Sequence, residues 1–228
     1  MKRMLKTLMI LILSYFLPLI FVPELMLNYK IIITAIACAT MLLTQPDFKT
    51  KEANKSKQTD KNSMLFILLA GLFSQVIPVI EWGYFGAGAN GYNNIPISII
   101  GLVMLVGGLA FRIWSIRYLG KYFTATVQIV DKHQIVQSGP YAIVRHPSYL
   151  GAYVAIVGSA LFLNTIIGTI TSALIMAIAY KYRITAEEKA LINEFGDEYC
   201  EYVKAMPKII PIRFSRISEL NIVSTKEI

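Results

Sequence analysis

The sequence predicts an all-α integral membrane protein with about five to six transmembrane helices, a C-terminal helical hairpin, and both termini in the cytoplasm. Three observations predict it. Hydrophobic residues make up 55% of the 228 and charged residues only 16%, with a mean hydropathy of +0.55, whereas a water-soluble domain carries about 25% charged residues. The apolar residues come in blocks of bilayer-crossing length. Lys and Arg fall almost entirely on one side of those blocks. The same composition excludes a disordered chain. It also excludes a disulfide scaffold: Cys38 sits in an apolar run and Cys200 in an acidic stretch, and both read as free thiols. Two His and two Cys scattered along the chain do not assemble a metal site. The net charge of +8 points, in a membrane chain, to anionic lipid and not to nucleic acid.

Each span follows from its own run. Leu8 to Leu27 gives about 30 Å of helix, enough to cross. Pro18 and Pro23 interrupt it, and with no small-x-small cleavage site it reads as a retained span and not a signal peptide. Ile31 to Leu43 is a shorter return, Met64 to Trp82 a third span, and Ile95 to Ile116 a fourth, with Arg112 in its last turn placed to snorkel to the interface. The 46–62 loop, carrying Lys49, Lys51, Lys55, Lys57 and Lys61, is a solvated linker near the headgroups. Tyr149 to Leu163 and Thr165 to Tyr180 form a tight hairpin broken at Asn164; at about 24 Å each, the arms cross only with local thinning. Gly151, Ala155 and Ser159 recur every fourth residue, a stripe that admits a neighbouring helix, with Ala173 and Ala177 of the second arm as its expected partners. With the N-terminus inside, 21 of the 22 Lys and Arg residues lie in the cytoplasm and only Lys30 outside, a strong positive-inside asymmetry.

Two motifs compete for attention. Gly86 to Gly91 matches the G-x-G-x-x-G dinucleotide pattern, but it lies between two membrane spans with no strand before it, and reads as a flexible turn. The informative stretch runs from Gln128 to Pro211. Pro147 suits the first position of a helix, so the hairpin opens directly after Arg145-His146, with free N–H groups and a positive dipole end that favour an anion. The second arm is expected to end near Arg183, with a new helix carrying Glu187 one turn later, so that both face one site. The hairpin's two ends then gather His146, Tyr149, Arg183 and Glu187, with Tyr141 and the 133–136 segment laid across them. Such a pocket, with donors, aromatic faces, a cation and carboxylates, suits a zwitterionic, adenine-bearing small molecule. Taken singly, the same residues are those that anchor helix ends at a membrane interface.

The residues G-P-Y-x3-R-H-P-S-Y-x-G (Gly139 to Gly151) and R-x3-E-E-x2-L-x3-F-G-x2-Y (Arg183 to Tyr199), ordered around a hairpin, resemble the isoprenylcysteine carboxyl methyltransferase family of membrane methyltransferases, which is related to phospholipid methyltransferases. The resemblance covers roughly Arg112 to Phe214. It divides the chain into variable membrane helices (1–111), a methyltransferase core (112–214) containing the hairpin 147–181, and a polar tail (215–228). It implies an S-adenosylmethionine site at the cytoplasmic helix ends, formed by Gln128, His133, Gln134, Ile135, Val136, Tyr141, His146, Pro147, Ser148, Tyr149 and Glu187, with Arg183 for the substrate carboxylate and no metal. Thr165 stands where the family often has Pro, a departure expected to alter only the turn.

Charge supports such chemistry. Methyl transfer from a sulfonium to a carboxylate cancels opposite charges, and needs alignment and dryness more than acid–base help. A carboxylate is ionised at neutral pH, so no general base is required. The acceptor is expected to be lipophilic, such as a prenylated cysteine, reaching the site from membrane lipid. Rival readings are methylation of a phospholipid or of a small lipophilic amine or thiol, a non-enzymatic membrane scaffold, and a nicotinamide-dependent reductase on a similar helical core.

Overall fold

A computed structural model describes residues 2–45, 58–86, 93–123 and 135–210. Among them the regular structure is entirely helical. Helix α1 (Lys2–Leu11) is prolonged by one wide turn, Ile12–Phe16, and one tight turn, Leu17–Leu19. The run expected to continue to Leu27 stops there because Pro18 lacks an N–H and its ring opposes the preceding carbonyls. The helix instead starts earlier, and the Arg3 guanidinium donates to the carbonyls of Leu42, Leu43 and Gln45. Helix α2 is Tyr29–Leu43, its first turn capped by Asn28. Helix α3 is Gln58–Ile80, continued by a wide turn through Phe85. Helix α4 runs Ile95–Leu119, α5 Pro147–Phe162, α6 Ile167–Phe195 and α7 Asp197–Ala205.

The first six of these helices pass alternately between two ends of a bundle. The hairpin turn marks one, here the turn end; the start of α5 and the last third of α6 mark the other, the open end. Arg3 and residues 206–210 both lie at the open end. Two stretches, Leu65–Phe85 and Ile95–Tyr122, are long and apolar enough to cross a membrane. Ile170, Leu174 and Ile178 of α6 recur every fourth residue and are each more than half exposed, an apolar stripe that suits lipid rather than water.

The closest seam joins α4 to α5. A Cβ on Gly101 would lie 2.2 Å from the Phe162 backbone N, and on Gly108 2.5 Å from that of Ala155; on Gly151 it would lie 2.6 Å from that of Arg112, and on Gly158 2.5 Å from that of Leu105. The small-residue stripe of α5 therefore admits α4, not the second hairpin arm. Ala177 is exposed, and α6 packs chiefly on α3, where Gly168 meets Pro78 and the Ser172 hydroxyl donates to Ser74 O at 2.8 Å. The signal is a match of spacing: Gly101 and Gly108 on one helix, Gly151 and Gly158 on the other, each pair two turns apart.

The turn itself uses Asn164 at φ +59°, a conformation Asn tolerates. Thr165 completes it by donating from its hydroxyl to Ala160 O at 2.9 Å. The Glu81 carboxylate then caps α6, accepting from the N–H groups of Ile166 (2.9 Å), Ile167 (3.2 Å) and Gly168 (2.5 Å).

Candidate functional site

The open end collects Arg112, Arg145, His146, Arg183 and Glu188, all buried. Helix α6 does not stop near Arg183, as its polar residues suggest; it continues unbroken to Phe195. Arg183 and Glu187 are therefore successive turns of a single helix and share its face. Tyr149, in the first turn of α5, donates its hydroxyl to Glu187 Oε2 at 2.7 Å. Its ring meets Tyr180 edge-on at 5.2 Å and His146 at 5.8 Å between centroids. Arg183 is buried, and its charge acts on the Tyr149 hydroxyl. The structure thus brings His146, Tyr149, Arg183 and Glu187 to one place.

Tyr141 is buried beside them. Its hydroxyl approaches Ser115 O at 3.4 Å, and its carbonyl accepts from the Tyr202 hydroxyl at 2.7 Å. Ile135 and Val136 are half-buried in the chain leading to Gly139, whose φ is +60°. Pro147 and Ser148 are buried in the first turn of α5. Gln128, His133 and Gln134 lie outside the described residues.

Four residues join the site that sequence reasoning did not place in it. Arg112 does not snorkel: helix α4 continues to Leu119, and the close seam at Gly151 leaves Arg112 only 4% exposed. Its Nη1 donates to Ser148 O at 3.0 Å, while its buried Nε has no partner among the described residues. The other three are Arg145, Glu188 and Lys208. Glu188 Oε1 lies 3.1 Å from Arg145 Nε, 2.9 Å from Arg145 Nη2 and 3.1 Å from His146 Nε2, and Oε2 lies 2.8 Å from Lys208 Nζ. A signal for Glu188 existed in the Glu187-Glu188 pair: neighbours on a helix point about 100° apart, so two adjacent carboxylates serve two different partners. Lys208 carries no local signal.

The electrostatics follow from this packing. Burial pushes the Glu188 carboxyl up, but His146, Arg145 and Lys208 outweigh it and bring it down to about 2. Burial pushes the Tyr202 phenol up to about 12 against the pull of Arg145. Burial, then the Glu188 and Glu187 charges, hold Tyr199 well above the usual phenol range. The phenols around the site thus stay protonated donors, and Glu188 stays an acceptor.

The donor set suits a small zwitterion. A carboxylate and a phenol face each other at 2.7 Å, aromatic faces flank them, and Arg112 offers a buried N–H with no partner among the described residues. Among the described residues no group of three His, Cys, Asp or Glu is placed to hold a metal ion.

Comparison with known proteins bears out the resemblance. The sequence profile of the isoprenylcysteine carboxyl methyltransferase family matches residues 99–193. The chain is 37% identical to the human protein-S-isoprenylcysteine O-methyltransferase over 117 residues, which is 50% of this chain and 41% of the human one. It is 39% identical to the protein of that name from Schizosaccharomyces pombe over 80 residues, 35% of this chain and 34% of that one. Against protein-S-isoprenylcysteine O-methyltransferase B of Arabidopsis thaliana it is 35% identical over 117 residues, 50% and 59% of the two chains. In each case the chain spans less than two thirds of the relative's length. The fold is similar to the solved structure of a eukaryotic intramembrane Ras methyltransferase, an isoprenylcysteine carboxyl methyltransferase, with a TM-score of 0.62 and 25% identity, covering 92% of this chain and 75% of that one.

Proposed function

We propose, from the likeness to these enzymes, that the chain is an integral membrane methyltransferase that uses S-adenosylmethionine to methylate a lipophilic acceptor. The acceptor class is the carboxylate of a C-terminal isoprenylcysteine, or a similar lipid-linked carboxylate. The observation that carries this reading is the convergence of Tyr149, Glu187 and Arg183 on two antiparallel helices, inside the stretch that matches the family profile. The Lys and Arg asymmetry argues that the open end faces the cytoplasm.

S-adenosylmethionine would supply an electrophilic methyl group on a sulfonium. Glu187 and Tyr149 would hold its amino or hydroxyl groups, and the rings of Tyr149, Tyr180 and Tyr141 would wall the cationic part. Pro147 and Ser148, at the positive end of α5, would favour its carboxylate, with the His146 ring beside them. Arg183 would orient the acceptor carboxylate, with Arg112 as a second buried cation behind Ser148. An acceptor already ionised needs no base, so these residues align the partners and exclude water. The lipid part of the acceptor would remain at bilayer depth.

Calorimetric binding of S-adenosylmethionine to the detergent-purified chain tests the cofactor. Micromolar affinity, weakened at least about tenfold by Glu187→Gln and by Tyr149→Ala, is the expected result. A well-folded wild-type chain that does not bind it, with or without lipid, overturns the reading. Radiolabelled methyl transfer then identifies the acceptor: base-labile label indicates an ester, and base-stable label an amine or thiol acceptor.

A further inference from the structure

We infer that Glu188 is the positioning residue of this site, holding the Nε2 proton of His146 so that Nδ1 becomes an acceptor for the ligand, and pinning residues 206–210 across the start of α5. The inference rests on the cofactor reading above for the identity of that ligand. It does not rest on it for the state of the ring.

The chemistry of the contact sets that state. An ionised carboxylate only accepts hydrogen bonds, so at 3.1 Å from Glu188 Oε1 the His146 Nε2 must be the donor. A neutral imidazole carries one N–H, and the partner of one nitrogen decides the role of the other; Nδ1 is then left with a lone pair. Glu188 has no freedom to turn away. Its Oε1 also receives Arg145 Nε and Nη2, and its Oε2 receives Lys208. The side chain is 12% exposed, against 2% for Arg145 and 4% for His146.

The backbone is held with the side chains. Arg145 N–H donates to Pro207 O at 2.9 Å and His146 N–H to Lys208 O at 3.1 Å. Arg145 Nη1 donates to Val203 O at 2.9 Å and also to Met206 O. The segment that carries His146 and the segment that carries Lys208 are thus laced together, with one carboxylate gripping both. Beside this grip, Glu187 faces Tyr149 and presents a second acceptor. Two acceptors, a carboxylate and an imidazole nitrogen, match a ligand rich in N–H donors, such as an α-ammonium or an exocyclic adenine amine.

His133 and His146 are the only histidines in the chain, so protein labelled with 15N in the histidine rings shows two imidazoles, and His133→Gln identifies which is which. In its neutral form the His146 ring should show the Nε2–H tautomer. An Nδ1–H ring overturns the inference. This measurement needs no substitution at Glu188, so it stands even where a variant fails to fold. Glu188→Gln should weaken S-adenosylmethionine binding about tenfold, the loss of one hydrogen bond to an ionised group, raising KM for the cofactor more than it lowers kcat; Glu188→Asp should recover part of the affinity. Unchanged affinity in a Glu188→Gln variant also overturns the inference. Absence of binding by the wild type removes the ligand and the cofactor reading together, while the tautomer still decides whether Glu188 holds the ring.

Discussion

The two ends of the bundle both bury cations at helix termini, and they use them differently. At the turn end Lys30, 3% exposed, donates to Asn93 Oδ1 at 2.8 Å and to Ser98 Oγ at 2.9 Å, and its Nζ lies 5.4 Å from the Phe162 ring centroid. Asn164 donates to the same two oxygens, at 2.9 and 2.6 Å. The result ties the starts of α2 and α4 to the hairpin turn through neutral oxygens. At the open end the cations Arg145 and Lys208, together with the His146 ring, meet a carboxylate, and the neighbouring carboxylate meets a phenol among aromatic rings. A buried cation is therefore not in itself the mark of a chemical site. Its partners decide: neutral oxygens shared among helices make a clasp, whereas carboxylates and aromatic faces make a place where a charged ligand can exchange for an internal contact.

Substitutions at the two ends can break this contrast. The largest effect is expected from Arg183→Ala, which should lower turnover by about two to three orders of magnitude, the range for losing a group that orients or stabilises reacting charge, while leaving S-adenosylmethionine affinity near wild type; methyl-ester formation and calorimetry read the two quantities separately. Unchanged turnover and acceptor affinity would remove Arg183 from the chemistry. Lys30→Met should instead lower stability by about 1.5–3 kcal/mol, the range for hydrogen bonds to a charged group, seen as an earlier thermal transition in detergent, with cofactor binding unaltered in the folded fraction. A folded Lys30→Met protein that cannot bind cofactor would erase the distinction between the ends. The last effect is read in acid and comes from Glu188. Its folded carboxyl is held at about 2, below its ordinary 4.5, so its contribution to stability is whole above about 4.5 and is lost as pH falls towards 2. Acid unfolding of the wild type should therefore show a loss over that window that is missing from Glu188→Gln.

Much of this arrangement was legible in the chain because its signals are local. Pro147 marks the start of α5, Asn164 the turn, and Arg183 with Glu187 a shared face one turn apart. Helix ends were harder. Hydropathy reports where the hydrocarbon ends, not where the helix does: the polar residues suggest an end near Arg183, although Ala186, Glu187, Glu188, Lys189, Ala190 and Leu191 are all strong helix formers and carry α6 to Phe195. Arg112 was misplaced for the same reason, through a span end set too early. The grip of Glu188 on Arg145 and Lys208 depends on residues 43 positions upstream and 20 downstream, a closure that only the folded chain reveals.

The unbroken helix α6 makes the protein a ruler. Glu81 fastens its first N–H groups at the turn end, and Glu187 stands twenty residues along it, about 30 Å away at the fixed rise of an α-helix and close to the thickness of a bilayer's hydrocarbon. A helix cannot lengthen to follow a thicker membrane; it can only tilt. The Tyr149–Glu187 pair is thus hung at a set depth from the opposite face, and lipid thickness becomes a quantity to which the geometry of the proposed site is mechanically tied.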